Sequence, residues 1–318
     1  MSRLELQPFS DEHLDAAGEL LAVRQRRHRA AEPLLPARFE DAAAAREEVE
    51  AAWRGAGAAG AVALRDGRVV GYLVGAPKED SIWGANEWVE VAGHAVAEAE
   101  DVRDLYGAVA EPWVEQERSR HFVVVPAPDA PLVDAWFRLG FGQQQASGIR
   151  EVPDEPWPDG ARRTEPRDVE GLVELAPLLS RHQLHAPVFS GRSLDLDPEE
   201  LRREIEADLG SGTAGSLVAE LDCRIVGNFE VRPVEDSALH TSLARPERAC
   251  YLAFAVTLPE LHGSGTGLAL TQACFAWARE AGYETMVTDW RVTNLRASRF
   301  WPRRGFRQSF LRLYRSIP

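Results

Sequence analysis

Three pairs of segments recur in the same order along this chain, and an internal repeat restricts the possible architectures more than any single motif does. Asp66-Gly67-Arg68-Val69-Val70-Gly71 is echoed by Asp222-Cys223-Arg224-Ile225-Val226-Gly227. Each copy is flanked by apolar residues, as two strands joined by a tight turn would be. Trp136-Phe137-Arg138-Leu139-Gly140-Phe141 is echoed by Trp301-Pro302-Arg303-Arg304-Gly305-Phe306. Ahead of each hairpin, a Pro and an Asp lead into a Leu-rich helical stretch, Pro8 to Leu21 and Pro166 to Leu179. The segment from Glu151 to Gly160 holds three prolines and four acids, which is linker chemistry. The pattern predicts two copies of one α/β unit.

The chain's 318 residues suffice for two units that each bury a core. A net charge of −14 argues against nucleic acid or an anionic bilayer as a partner, while leaving room for a cationic amine. Cys223, Cys250 and Cys274 are scattered and form no Cys-x-x-Cys pair, so a reducing cytoplasm is expected. Met1 to Asp15 has no basic region followed by an apolar stretch, and no secretion signal is read there. The longest low-charge tract, Gly55 to Leu64, stops at Arg65, far short of the roughly 20 apolar residues of a membrane span.

The second copy is the easier to trace. Apolar runs at Ser216 to Glu220, Ile225 to Val231 and Tyr251 to Thr257 read as strands. Leu270, Cys274, Trp277 and Ala281 fall at helical spacing within Leu268 to Ala281, and Gly282 stands where a helix end favours a left-handed residue. Thr285 to Trp290 is then a strand, Leu295 to Arg304 a short helix, and Phe306 to Tyr314 a final strand. Strands interrupted by helices in this way predict a mixed sheet covered by helices.

Between a strand and a helix lies Thr257-Leu258-Pro259-Glu260-Leu261-His262-Gly263-Ser264-Gly265-Thr266-Gly267. Alternate glycines remove the side chains that would keep an anion from the backbone, and the first helical turn then points its N–H groups at that anion. This is a pyrophosphate cradle. It lacks the Lys-Ser/Thr ending of a triphosphate loop and the spacing of a dinucleotide fingerprint. Gly210, Gly212 and Gly215 do spell that fingerprint, but they follow an acidic helix and precede a strand, the reverse of the required order, and read as a plain loop.

His262-Gly263-Ser264-Gly265-Thr266-Gly267 resembles the Arg/Gln-x-x-Gly-x-Gly/Ala loop of the GNAT superfamily of acyl-CoA-dependent N-acyltransferases, with His in place of the usual Arg or Gln. Asn294, Ala297, Phe300, Trp301, Gly305 and Phe306 match that superfamily's Asn-x-x-Ala-x-x-apolar-Tyr-x-x-x-Gly-Phe pattern, with Trp301 where Tyr would stand. The two motifs cover most of residues 216–306. The resemblance implies GNAT-like units in tandem, an arrangement found in mycothiol synthase, although Asp289-Trp290 departs from the Thr-x-Asn pattern of that enzyme. Each unit would be a mixed, mostly antiparallel sheet flanked by helices. Residues 1–150 would form a degenerate scaffold unit, 151–160 a linker and 161–318 the catalytic unit.

By the same resemblance, an acyl group passes from acetyl-CoA directly to a primary amine of a small molecule or peptide, without a metal. Acyl-CoA would lie where the strands Tyr251 to Thr257 and Thr285 to Trp290 splay apart. Its pantetheine arm would pair with Phe254, Ala255, Val256 and Thr257. Its diphosphate would rest on His262, Gly263, Ser264, Gly265, Thr266, Gly267 and Leu268, with Asn294 and Trp301 completing the coenzyme site. For the general base, Asp289 stands five residues before Asn294, the offset of the base Glu in ribosomal-protein N-terminal acetyltransferases. Asp289 either takes a proton or pairs with Arg291 or another arginine, and Glu230 is a second candidate. An indole N–H at Trp301 is no acid, which leaves Tyr251, Cys250 or Tyr314 to protonate the thiolate, or Trp301 simply packs beside Phe300.

Gly140 and Asp129 precede Gly305 and Asn294 by 165 residues. The same offset places His262 to Gly267 on Ala97-Glu98-Ala99-Glu100-Asp101-Val102 and Asp289 on Val124. Carboxylates in place of glycines would repel a diphosphate, so the first unit is expected to have lost coenzyme binding. His182 and His185 lack a third metal ligand nearby. They fall in Arg181 to Ser193, the stretch that by resemblance borders the acceptor pocket. Arg24 to Arg29 reads as a solvated helix face, and Asp195 to Asp208 as an acidic helix capped by Asp197. Two other functions compete: a non-catalytic acyl-CoA sensor or scaffold, and an interaction module that binds no coenzyme.

Overall fold

The two repeated turn sequences adopt one geometry. Asp66 and Gly67 have φ of 53° and 75°, and Asp222 and Cys223 have 48° and 62°. Two successive left-handed residues match the twist of the flanking strands, which is why such turns close two-residue hairpins. The computed structural model describes residues 3–79, 83–190 and 197–318. It divides into two compact units: Met1–Ala146 with Ser242–Arg245 and Gln308–Pro318, and Ser147–Thr241 with Pro246–Arg307.

Unit 1 begins with β1 (Glu5–Pro8), α1 (Leu14–Ala31), α2 (Ala42–Trp53) and the hairpin β2 (Ala59–Arg65) and β3 (Arg68–Gly75). It continues through β4 (Asn86–Val89), β5 (His94–Val96), α3 (Asp101–Glu115), β6 (Arg120–Pro126), α4 (Ala130–Arg138) and the start of β7 (Gly142–Glu151). Strands β1, β2, β3 and β5 form one antiparallel sheet. β4 and β6 pair in parallel. Trp113, Trp136, Tyr72 and Leu105 fill the core against α3 and α4. Pro8 closes β1, and the helix expected from that residue onward starts only at Leu14.

Unit 2 contains β8 (Arg162–Arg163), α5 (Val169–Leu175), α6 (Pro177–Gln183), α7 (Pro198–Ser211), β9 (Gly215–Leu221), β10 (Arg224–Pro233), β11 (Ala249–Thr257), α8 (Thr266–Glu280), β12 (Thr285–Arg291) and α9 (Leu295–Arg303). Strands β8 to β11 pair antiparallel in order, and β11 pairs in parallel with β12. The Leu-rich stretch after Pro166 is broken into α5 and α6, because Pro177 brings no N–H to continue the helix. α8 packs on the sheet through Leu270, Cys274 and Trp277, and it ends at Gly282, with φ 83°. Gly212, with φ 66°, caps α7, and a Cβ on Gly215 would stand 2.5 Å from Trp277. Those two of the fingerprint-like glycines thus serve a helix end and a close packing contact. Of the acidic stretch and of the segment ending at Ser193, residues 191–196 lie outside the described residues.

The units are not the sequential pieces 1–150, 151–160 and 161–318. The final strand, β13 (Arg307–Ser316), belongs almost wholly to unit 1, where it pairs antiparallel with β6 from Phe310↔Pro126 to Ser316↔Arg120. Unit 2 instead begins within β7, so that the acidic segment expected to be a linker lies inside it. Alternation of apolar residues shows that a strand forms. It carries no information about which neighbour that strand will choose.

Candidate active site

β11 and β12 are in register only from Ala249↔Thr285 to Leu252↔Thr288. Directly beyond, the pairing of β11 with β10 skips Ala253, running from Val231↔Leu252 to Glu230↔Phe254. A bulge of this kind bends the bulged strand and sharpens its twist. The parallel strands therefore part, and from Ala253 to Thr257 the edge of β11 facing β12 makes no ladder pairing. This placement includes the backbone of Phe254, Ala255, Val256 and Thr257.

The glycine loop lies between β11 and α8. Gly263 has φ 90° and Gly265, the N-cap of α8, has φ 97°. A Cβ at either position would meet nothing within 4 Å, so the left-handed backbone is open to the outside. The Ser264 hydroxyl holds the turn by donating to the Leu261 carbonyl at 2.8 Å and accepting from the Thr266 amide at 3.3 Å. Among the described residues, the amides of Gly263, Gly265 and Gly267 meet no acceptor. His262 and Leu268 are exposed beside them, and the Arg296 guanidinium donates to the His262 imidazole. Arg296 was not singled out from sequence; the available signal was a cation two residues after Asn294. An array of unbonded amides at a helix N-terminus with an arginine alongside suits a phosphate group.

Strand alternation and register place Glu230, Arg232, Tyr251, Phe254, Asp289 and Arg291 on one face of the sheet. The Tyr251 hydroxyl donates to Asp289 Oδ1 at 2.7 Å. Burial, reinforced by the Asp289 carboxylate, raises the Tyr251 phenol far above its ordinary range. Burial also raises the Glu230 carboxyl, and Arg232, 3.4 Å away, only partly offsets it. For Arg291, burial lowers the pKa against the pull of Asp289.

The opposite face carries Phe229, Cys250 and Thr288 against α8 and α9. Cys250 is fully buried, its thiol donates to the Thr285 carbonyl, and burial drives its pKa far up. Tyr314 lies in unit 1, its ring 4.9 Å from that of Phe122. The register turns Cys250 to the face opposite Tyr251 and Asp289, and Tyr314 belongs to unit 1. Trp301 is 6% exposed and packs among Phe229, Phe300 and Phe306, with ring centroids at 6.1, 4.9 and 5.5 Å. Asn294 caps α9 by accepting from the Ala297 amide at 3.2 Å, and its Oδ1 lies 3.3 Å from His182 Nε2. His185 instead bonds the Arg181 carbonyl.

In unit 1 the connection matching the glycine loop is shorter. Val96 ends β5 and Asp101 begins α3, leaving only Ala97 to Glu100 between them, whereas residues 258–265 separate β11 from α8. Glu100 pairs with Arg103 and Arg138, and Asp101 with Arg65 at 2.8 Å. Among the described residues, no group of three or more His, Cys, Asp or Glu side chains is placed to hold a metal, and no helix is long and apolar enough to cross a membrane. The three cysteines are unpaired.

Residues 180–306 match the model of the Acetyltransferase (GNAT) family. Among solved structures, a GCN5-related N-acetyltransferase from Sphaerobacter thermophilus is similar over 99% of this chain and 96% of its own, with 14% identity and a TM-score of 0.57. A GCN5-related glucosamine N-acetyltransferase region of a fungal multi-domain beta-N-acetylglucosaminidase aligns over 99% of this chain and 38% of its own, with 14% identity and a TM-score of 0.52. A tandem GNAT protein from the clavulanic acid biosynthesis pathway aligns over 99% and 98%, with 15% identity and a TM-score of 0.46. At these identities the two structures with TM-scores above 0.5 establish the fold, and the family match assigns the segment. Over residues 180–306 this chain carries a domain of the GNAT acetyltransferase family.

Proposed function

We propose that unit 2 transfers an acetyl group from acetyl-CoA directly to a primary amine. The observation that carries this reading is the open edge of β11 running into a left-handed glycine loop at the start of α8. A Cβ on Gly263 or Gly265 would meet nothing within 4 Å, which supports placing the diphosphate there. The amides of Gly263 to Leu268 and the Arg296 side chain would hold it. The freed backbone of Phe254 to Thr257 would pair with the pantetheine amides, and Asn294 would stiffen the opposite wall as the cap of α9.

For the amine to attack the thioester carbonyl, its ammonium must first lose a proton. Glu230 suits that task better than Asp289, because burial brings its pKa toward neutrality while Asp289 is held by the Tyr251 hydroxyl. Asp289 and Tyr251 then act together, fixing the wall beside the vertex of the cleft. The nitrogen forms its bond to the acyl carbon, the carbon–sulfur bond breaks, and the surplus proton on that nitrogen passes to the departing thiolate, giving the amide and free coenzyme A. A thiol of pKa about 8.5 departs without needing a strong acid, consistent with Trp301 serving as packing. Unit 1, where only Ala97 to Glu100 stand at the matching position, would serve as scaffold.

Packing of Trp301 favours one competing reading, an acyl-CoA sensor without turnover. Incubating the protein with acetyl-CoA and a panel of amines, with thiol release as readout and calorimetry in parallel, separates the two. Binding with turnover supports transfer, binding without turnover supports the sensor, and no binding refutes both.

A further inference from the structure

In unit 1, four charged side chains line one cavity of about 220 Å³ without pairing across it. Arg24 and Arg27, one helical turn apart on α1, are its cationic lining residues, and Glu98 and Asp129 its anionic ones. Arg24 is 2% exposed, and its terminal nitrogens donate to the Val91 and His94 carbonyls, while its Nε finds no acceptor among the described residues. Among the described residues, the one hydrogen bond of the Arg27 side chain is to the Val96 carbonyl, at 3.4 Å. Asp129 spends one oxygen as the N-cap of α4, accepting from the Leu132 amide at 3.2 Å. Among the described residues, none of the four makes an ion pair. Burial lowers the Arg24 pKa to about 10, which leaves it cationic at neutral pH.

A buried guanidinium without a carboxylate in direct contact is costly, and Asp129 acts on Arg24 only through a longer-range Coulombic attraction. Here no such ion pair forms among the described residues, and Val96 and Leu132 add apolar surface to the same lining. Its volume equals roughly seven water molecules, at about 30 Å³ each. The ligand that satisfies both sets of lining charges carries a carboxylate and an ammonium on a short apolar body. We infer that this cavity is a binding site for a small α-amino acid, its carboxylate on Arg24 and Arg27 and its ammonium between Glu98 and Asp129. The inference does not depend on acyl transfer in unit 2.

Calorimetry on the full chain tests it with glycine, alanine and valine, against propionate and propylamine, which each carry one of the two charges. The expected result is a Kd below about 1 mM for at least one amino acid, with both single-charge probes at least about tenfold weaker. Arg27, Glu98 and Ala97 are exposed, so their variants should fold. Arg27→Ala and Glu98→Gln should each weaken binding about tenfold or more, and Ala97→Trp should fill the cavity and abolish it. Asp289→Asn, in unit 2, should leave it unchanged. The inference is overturned if no amino acid binds at millimolar concentration, if propionate alone binds as tightly, or if affinity follows Asp289 rather than Arg27 and Glu98.

Discussion

Gly265→Ala separates a structural requirement for glycine from a ligand-binding one. With φ at 97°, an alanine there costs about 1–2 kcal/mol in backbone strain. No steric cost adds to it, because nothing lies within 4 Å of the new Cβ. At about 2–4 °C per kcal/mol, the melting temperature should fall by roughly 2–8 °C and the protein should stay folded. The methyl group does, however, occupy the space proposed for the diphosphate. Losing two charge-assisted amide bonds of about 1.5–3 kcal/mol each raises the Kd for coenzyme A by roughly 10²- to 10⁴-fold. Gly265→Asp should do at least as much harm by adding like charge. Gly267→Ala is the control: its Cβ would make ordinary contact with Phe300 at 3.4 Å, at a helical position where alanine is preferred to glycine. That variant should melt no lower than wild type and keep most of its affinity. Titration calorimetry with coenzyme A, run beside thermal melts, reads both quantities. If Gly265→Ala and Gly265→Asp bind coenzyme A as wild type does, the phosphates lie elsewhere and the cradle is wrong.

Glu230→Gln should lower kcat by about 10²- to 10⁴-fold with acetyl-CoA affinity retained. The wild-type rate should rise with pH through a limb above the ordinary carboxylate range, since burial raises the Glu230 pKa, and that limb should vanish in the variant. Asp289→Asn and Tyr251→Phe should each reduce turnover less, and the double variant should fall short of the sum if the pair acts as one unit. Trp301→Ala should destabilise the protein by about 3–5 kcal/mol in urea unfolding, because it empties a site packed by three aromatic rings. In unit 1, burial pushes the Glu87 carboxyl up to about 7, against the opposing effect of Arg118. Its protonated form is the one the fold favours, so its contribution is complete below about pH 4.5 and is lost as pH rises through about 7. The loss is on the order of 3 kcal/mol. Glu87→Gln should remove that component, and equal pH slopes for the two proteins between pH 4.5 and 7.5 would show that Glu87 does not carry it.

Much of the local structure was legible because it depends on near neighbours. The Asp-led turns needed only residues that tolerate positive φ, and β9 to β12, α8 and α9 followed from spacing that repeats every two or every 3.6 residues. The glycine loop was legible for the same reason, since its openness comes from missing side chains. Trp301 and Asn294 were less so. Their motif positions were visible, but whether an indole packs against Phe229 or faces a ligand depends on a strand about 70 residues away in the chain. The face that Cys250 occupies and the unit to which Tyr314 belongs were likewise set by strand pairing and not by local spacing.

The amino-acid sequence by itself determined that there are two related α/β units, where the flexible glycines stand, and which residues carry titratable groups. Tertiary structure alone decided that β13 completes unit 1, that a bulge at Ala253 parts β11 from β12, and that Glu230, Tyr251 and Asp289 share one face. It also decided that Arg24, Arg27, Glu98 and Asp129 line one cavity. The physical reason is range. Turns and helices are set by interactions a few residues apart, whereas strand partners, registers and burial are settled by the competition among distant segments for the same apolar surface and the same backbone hydrogen bonds.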